Sequence, residues 1–375
     1  MKRLISVLLA VFLLVSLGLI ASAVSERAEY REQMESSGAS ELIGSLSDED
    51  RESLRALGVE EVDFDTLFRI SPRRVFDLIS DVVRREYKSP LKATLSAASV
   101  LLLLAAAQAF VSDEKFSHTI LQLGSVILGL MLAVPLASCI VRLASAVQAQ
   151  SRMMLALIPV LAVVITLSGN PTLALSYNTM TFAMAQAVVQ LVQNTVCPLI
   201  RITLSLSLVS SLSGSFGLKQ AVAFLKKTGI FLMSLAATIF VTMLVLKSSL
   251  ASSADTVAVR GVRFLIGRAI PVVGSAVSDA YLSLLGSLNL VKNSAAVFGV
   301  IAVLVIALPV VTEGLIWSFA LNLLASLAEL LGLSQPSGLL RAMSGGLTLL
   351  NVTLVLTSVV MVLSIGLIML IKGGG

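Results

Sequence analysis

The chain has 375 residues, of which 57% are hydrophobic and 13% charged, with a formal net charge of +5 and a mean hydropathy of +0.97. A soluble core cannot hide that much apolar surface, so composition excludes an ordinary water-soluble domain and points to an all-α polytopic integral membrane protein. Charge is divided unevenly: residues 24–88 carry ten Lys/Arg against sixteen Asp/Glu, whereas residues 89–375 carry fifteen against six, so an acidic head precedes a basic membrane body.

Lys2 and Arg3 precede an apolar run from Leu4 to Ile20, and Ala21-Ser22-Ala23 follows as a small-x-small site. These are the three regions of a secretory signal peptide, expected over residues 1–23, either cleaved after Ala23 or retained as a signal anchor; both put the next segment outside the cytoplasm.

Residues 24–90 form the exported acidic head. Ser47-Asp48-Glu49-Asp50 fits a capping box and Gly58 a C-cap, which brackets a short helix through Leu54 and Leu57. Ser71 as N-cap with Pro72 at the first helical position starts a second. In it Val75, Phe76, Ile79, Val82 and Val83 recur at helical spacing, with Arg73, Arg74, Arg84 and Arg85 elsewhere on the helix. The segment is expected to make two or three helices lying against the membrane or a partner.

From Leu91 onward apolar runs recur, and a span needs about 20 residues to cross the hydrocarbon layer. The expected spans are Leu91 to Val111, Thr119 to Val141, Met153 to Leu167, Leu173 to Val192, Val196 to Leu212 and Gly229 to Leu246 in a first group over 91–247. Ala295 to Val311, Leu315 to Leu333 and Leu347 to Ile371 follow in a C-terminal group over 294–375. The third is short and the fourth and fifth nearly touch, so these three also read as one span plus a re-entrant pair. The count is seven to nine.

With the head outside and nine spans, Lys219, Lys226, Lys227 and Lys372 fall on the cytoplasmic side, as the positive-inside rule asks. Arg84, Arg85, Lys88 and Lys92 flank the first span on its outer side, and Arg260, Arg263, Arg268 and Lys292 are outer too, against that rule.

Between the two groups lies residues 248–293, too interrupted for an ordinary span and too apolar for a solvated loop. As a helix of about 100° per residue, it places Arg260, Arg263, Gly267, Pro271, Gly274 and Ser278 within roughly 40° of one line. Pro271 removes a backbone N–H and crowds the carbonyl four residues back, so the helix is expected to kink or break there. Two readings stand: an interfacial amphipathic helix with snorkelling arginines, or a kinked or re-entrant helix lining a water-filled path. In the second, Asp279 is the counter-charge for an arginine, Arg268 being a further cation of the segment.

On the fourth span Thr179, Gln186, Gln190 and Gln193 follow spacings of seven, four and three and share one face. Interhelical hydrogen bonding and a polar pore wall both account for such a row. Glu313 follows Pro309 between two spans, and Glu329 lies within the eighth; an ionisable group at membrane depth is a functional candidate. Cys139 and Cys197 lie in apolar runs and read as buried thiols rather than a disulfide framework.

The sequence has no GxxxxGK[ST] loop, no HExxH and no GxSxG, and His118 is its one histidine. No cofactor, metal or catalytic residue is therefore expected, and the chain reads as a non-enzyme. The basic residues are scattered between spans without interleaved aromatics, which argues against nucleic acid.

The order of these features resembles the stage III sporulation protein AE family of endospore-forming bacteria. The resemblance rests on Val259-Arg260-Gly261-Val262-Arg263-Phe264 through Gly267, Ile270-Pro271-Val272-Val273-Gly274 and Ser278-Asp279-Ala280. Leu155-Ala156-Leu157-Ile158-Pro159, Pro198-Leu199-Ile200 and Leu290-Val291-Lys292-Asn293 add further blocks. It implies a membrane subunit of the channel, or feeding-tube, complex joining mother cell and forespore, in the mother-cell-derived membrane with the head in the intermembrane space. The implied partners are other stage III A-operon proteins, including a cytoplasmic ATPase and ring-forming subunits, and stage II sporulation protein Q. Two rivals to this reading are a self-sufficient secondary transporter, for which paired broken helices are expected, and a structural scaffold that conducts nothing.

Overall fold

Local capping chemistry sets the head. The structure, a computed structural model, describes residues 27–168, 186–213, 220–240 and 274–369, with a few single positions between them. Helix α1 (Arg27–Ser36) leads through a 3-10 turn to α2 (Asp48–Leu57), whose first turn is closed by the Ser47 hydroxyl accepting from the Asp50 N–H at 3.2 Å. Gly58 ends α2 at φ 83°, a left-handed conformation that glycine adopts without Cβ strain. After α3 (Phe64–Phe68), Ser71 caps α4 (Pro72–Glu86) by accepting from the Arg74 N–H, with Pro72 in the first turn. Both caps anticipated from sequence are present.

The head folds onto the membrane helices. Its Leu42, Leu54, Leu57, Val62, Leu67, Leu78 and Val82 belong to the same buried apolar cluster as the helices below. The Tyr30 hydroxyl donates to the Ser294 hydroxyl at 3.0 Å and accepts from the Phe64 N–H at 3.0 Å. Burial raises the Tyr30 pKa above the ordinary tyrosine value.

Six helical runs among the described residues are long and apolar enough to cross a membrane. They are α5 (Lys88–Ala109), α6 (Glu114–Leu167), the run Gln186–Leu206, the run Gln220–Phe240, α9 (Gly274–Leu330) and α10 (Ser334–Met369). The run Gln186–Leu206 passes through a π-turn at Val192–Val196 into α7 (Cys197–Ser213), and Gln220–Phe240 is named α8. Lys226 and Lys227 thus lie on a helix, not in the loop expected for them.

Two expected breaks are absent. Helix α6 joins the expected spans Thr119 to Val141 and Met153 to Leu167 without interruption, and α9 joins Ala295 to Val311 and Leu315 to Leu333. At 1.5 Å per residue the 54 residues of α6 extend about 80 Å, against a hydrocarbon layer of about 30 Å. Arg142 and Glu313, which lie between the expected spans, pair with each other inside the protein, so neither has to end a helix to reach water. Pro135, Pro159 and Pro309 lie within these helices, where surrounding protein can cover the backbone groups they free.

The outward face of α6 changes character at Arg142. Before it the exposed positions include Leu123, Ile127, Leu130, Val134 and Val141; over the next ten residues they are Ser145, Gln148 and Arg152, and large apolar ones return only at Val163 and Leu167. Helix α9 changes in parallel: no residue from 286 to 318 is exposed, whereas Phe319, Leu323 and Leu330 are. The part of α6 before Arg142 and the part of α9 after residue 318 read as lipid-facing, whereas α9 from 286 to 318 is enclosed by protein, with the head covering part of it. Close approach within it occurs at Gly299, where a Cβ would collide with Leu157 of α6 and meet Ile365 of α10.

Candidate functional site

An ion cluster forms where the lipid-facing and enclosed halves of the bundle meet. Glu86 is the last residue of α4, Arg142 lies in the middle of α6, and Glu313 lies in α9 four residues after Pro309. Arg142 Nη1 donates to Glu86 Oε2 at 2.7 Å and to Glu313 Oε2 at 2.8 Å, while Nη2 donates to Glu86 Oε1 at 2.8 Å. The guanidinium thus holds Glu86 with two parallel bonds and Glu313 with one, the geometry that makes arginine suited to carboxylates.

The two carboxylates are well shielded, with side-chain exposures of 14% for Glu86 and 8% for Glu313, while that of Arg142 is 35%. Two such carboxylates tolerate burial at close range because one cation binds both. The chemical capability of this arrangement is attachment. It ties the head to two membrane helices and commits its ionic groups to one another.

Further polar contacts stitch the enclosed half together. Gln150 Nε2 of α6 donates to the Val303 carbonyl of α9 at 3.1 Å and to the Ser358 hydroxyl of α10 at 2.7 Å. At the opposite end Arg341 donates to Glu329 at 2.6 Å and Ser337 to Glu329 at 2.9 Å, across the turn at Gly332. Glu329, expected within a span, therefore sits at a helix end with an exposed ionic partner. Gln335 and His118 meet at 2.9 Å.

Of the residues singled out in the sequence, Glu313 is the one the structure draws into this cluster. Arg260, Arg263, Gly267, Arg268 and Pro271, and with them the expected kink, lie outside the described residues. Gly274, Ser278 and Asp279 fall on the first turns of α9, which runs unbroken past residue 293; their side chains lie outside the description.

Thr179, Gln186 and Gln190 are exposed and Gln193 is half-buried in the π-turn. The bonds described for this row are local: Thr179 donates to the Leu175 carbonyl at 3.0 Å, and Gln190 accepts from Asn194 one turn on. The row faces away from the core of its own chain. Arg142 and Glu86 were not singled out, although an arginine between two long apolar runs, with few acidic residues after the head to neutralise it, was a signal in plain view.

Comparison with known proteins places the chain. The sequence pattern described as stage III sporulation protein AE matches residues 68–373, which takes in the end of the head, the ion cluster and all six apolar runs. The chain belongs to the stage III sporulation protein AE family. A curated relative, stage III sporulation protein AE of Bacillus subtilis (strain 168), is 28% identical over 187 residues, covering 50% of this chain and 47% of the relative. The chain thus spans about half the length of the curated relative it matches. No solved structure matches. Membership of the stage III sporulation protein AE family, together with the six apolar helical runs, gives a sporulation-related multi-pass membrane protein.

Proposed function

We propose that this chain is a non-enzymatic membrane subunit of the channel complex between mother cell and forespore, seated in the mother-cell-derived membrane around the forespore. The observation that carries the reading is the family match over residues 68–373. The clasp adds a structural role within it: Arg142, Glu86 and Glu313 hold the acidic head at a fixed position on the bundle. Such a fixed platform suits assembly with the ring-forming stage III A subunits and with stage II sporulation protein Q in the intermembrane space. Energy comes from a separate cytoplasmic ATPase.

The outward Thr179 to Gln193 row bears on how the subunit works. A conduit along this face needs a second wall from a neighbouring subunit, because the described polar side chains point away from the chain's own core. A scaffold that conducts nothing is the second reading, favoured by the closed packing of α9 from 286 to 318.

The test is complementation in a sporulating host by the Gln186→Leu, Gln190→Leu double variant. Expression of a late forespore reporter is measured beside co-purification of the other stage III A proteins. Loss of the reporter with intact co-purification supports the conduit, and normal reporter output supports the scaffold. Failure of the wild-type chain to co-purify with any of these proteins overturns membership of the complex.

A further inference from the structure

The exposed face of α6 turns from apolar to polar at Arg142 and stays polar through Arg152, which marks a level along the bundle, and Glu86 brings the α4–α5 junction to the same level through its bonds to that arginine. Below the junction, α5 turns Leu91, Leu95, Leu102 and Leu103 outward, a face suited to acyl chains. At the junction the backbone stays helical: Tyr87 has φ −76° and ψ −21°, its N–H donates to the Val83 carbonyl, and the Leu91 N–H donates to Tyr87. Val83 and Tyr87 are both 40% exposed and lie one turn apart. Arg84, Arg85, Lys88 and Lys92 are exposed around them.

Glu86 is the one acidic residue between Asp81 and Asp113, and Arg142 binds both of its oxygens. The outward charge of this stretch is therefore wholly positive. An exposed tyrosine and four cations at the upper edge of a lipid-facing helix are the chemistry of a headgroup layer, where aromatic rings sit at the interface and long cationic side chains reach phosphates. From Arg84 to Lys92 the helix rises roughly 12 Å, within reach of one headgroup region and its snorkelling margin.

We propose that the α4–α5 junction is an anionic-phospholipid collar, in which Arg84, Arg85, Lys88 and Lys92 bind lipid phosphates and Tyr87 sits in the interface at the level of Arg142. The collar uses outer-leaflet cations that run against the positive-inside rule. Their purpose is lipid contact, and they do not set orientation.

Two measurements test it on the full chain. In native mass spectrometry from detergent with equimolar phosphatidylglycerol and phosphatidylcholine, the wild type is expected to retain phosphatidylglycerol on the order of five-fold better. That is the effect of about one cation at an anionic surface. The R84Q/R85Q/K88Q/K92Q variant is expected to fall to parity. Absence of the preference in the wild type, or its persistence in the variant, overturns the collar.

The second measurement does not depend on that variant folding. Fluorophores at Leu130→Cys or Gln148→Cys, in chains carrying Cys139→Ala and Cys197→Ala, are placed in vesicles of phosphatidylglycerol and acyl-brominated phosphatidylcholine. Strong quenching at position 130 with little at 148 is expected. Equal quenching puts Arg142 inside the hydrocarbon and overturns the proposal.

Discussion

Arg142 Nη1 lies 2.8 Å from Glu313 Oε2 across 171 positions of sequence, and the same nitrogen reaches Glu86 in the head. Through this one guanidinium three elements that are remote in the chain share a fixed register. Removing it leaves two shielded carboxylates facing each other. Arg142→Gln is expected to lower stability by about 3 kcal/mol, the lower end for a broken buried pair because the arginine is partly exposed. Glu313→Gln keeps the bidentate bond to Glu86 and should cost about 1 kcal/mol. Thermal unfolding of the detergent-solubilised chain ranks the two, and equal losses would contradict the geometry.

Tyr30 makes the docking of the head sensitive to alkali. Burial raises its pKa in the folded chain, so above the ordinary tyrosine value near 10 the unfolded state gives up its proton first. The contribution of Tyr30 is whole below pH 10 and declines as pH rises from there through the folded value. Protease release of the head should therefore accelerate in that window for the wild type. In Tyr30→Phe that added sensitivity should vanish, and docking should be weaker at neutral pH by about 1 kcal/mol from the lost hydrogen bonds.

Gly299 of α9 packs closely against Leu157 of α6 and Ile365 of α10. Gly299→Leu must push Leu157 and Ile365 aside in a closely packed interior, at a cost of about 1 to 3 kcal/mol. Gly338→Ala, whose new Cβ meets open space, serves as the control. A drop in unfolding temperature for the first and little change for the second are expected.

Gln150→Ala withdraws both donated bonds, to Val303 and Ser358, and leaves a cavity among α6, α9 and α10. The combined loss should be about 2 kcal/mol. Hydrogen exchange of the α9 amides around Val303 is expected to accelerate in this variant while that of α2 stays unchanged, since α2 is closed by its own caps.

The short-range features of this fold were legible in the sequence because their causes are local. Ser47, Gly58, Ser71 and Pro72 act on residues three or four positions away, and each ends or starts a helix where their chemistry indicated. The continuity of α6 and α9 was not legible. Arg142 and Glu313 taken singly are costly at membrane depth and invite a loop; only their pairing across 171 positions removes that cost. The row from Thr179 to Gln193 shows the intermediate case. Periodicity places these residues on one face, but which way the face turns depends on neighbouring helices that no spacing encodes.

The bond from Tyr30 to Ser294 joins positions 264 residues apart, and that separation sets a timetable for biogenesis. At the 5 to 20 residues per second of ribosomal synthesis, Ser294 follows Tyr30 by roughly 13 to 50 s. Throughout that interval the part of the head that packs on α9 is uncovered, and that apolar surface must be kept from aggregation by the translocation machinery, a chaperone or the bilayer itself. Maturation of this protein is therefore gated by the arrival of one late helix, and a ribosome that stalls before residue 294 leaves behind an exposed, sticky intermediate.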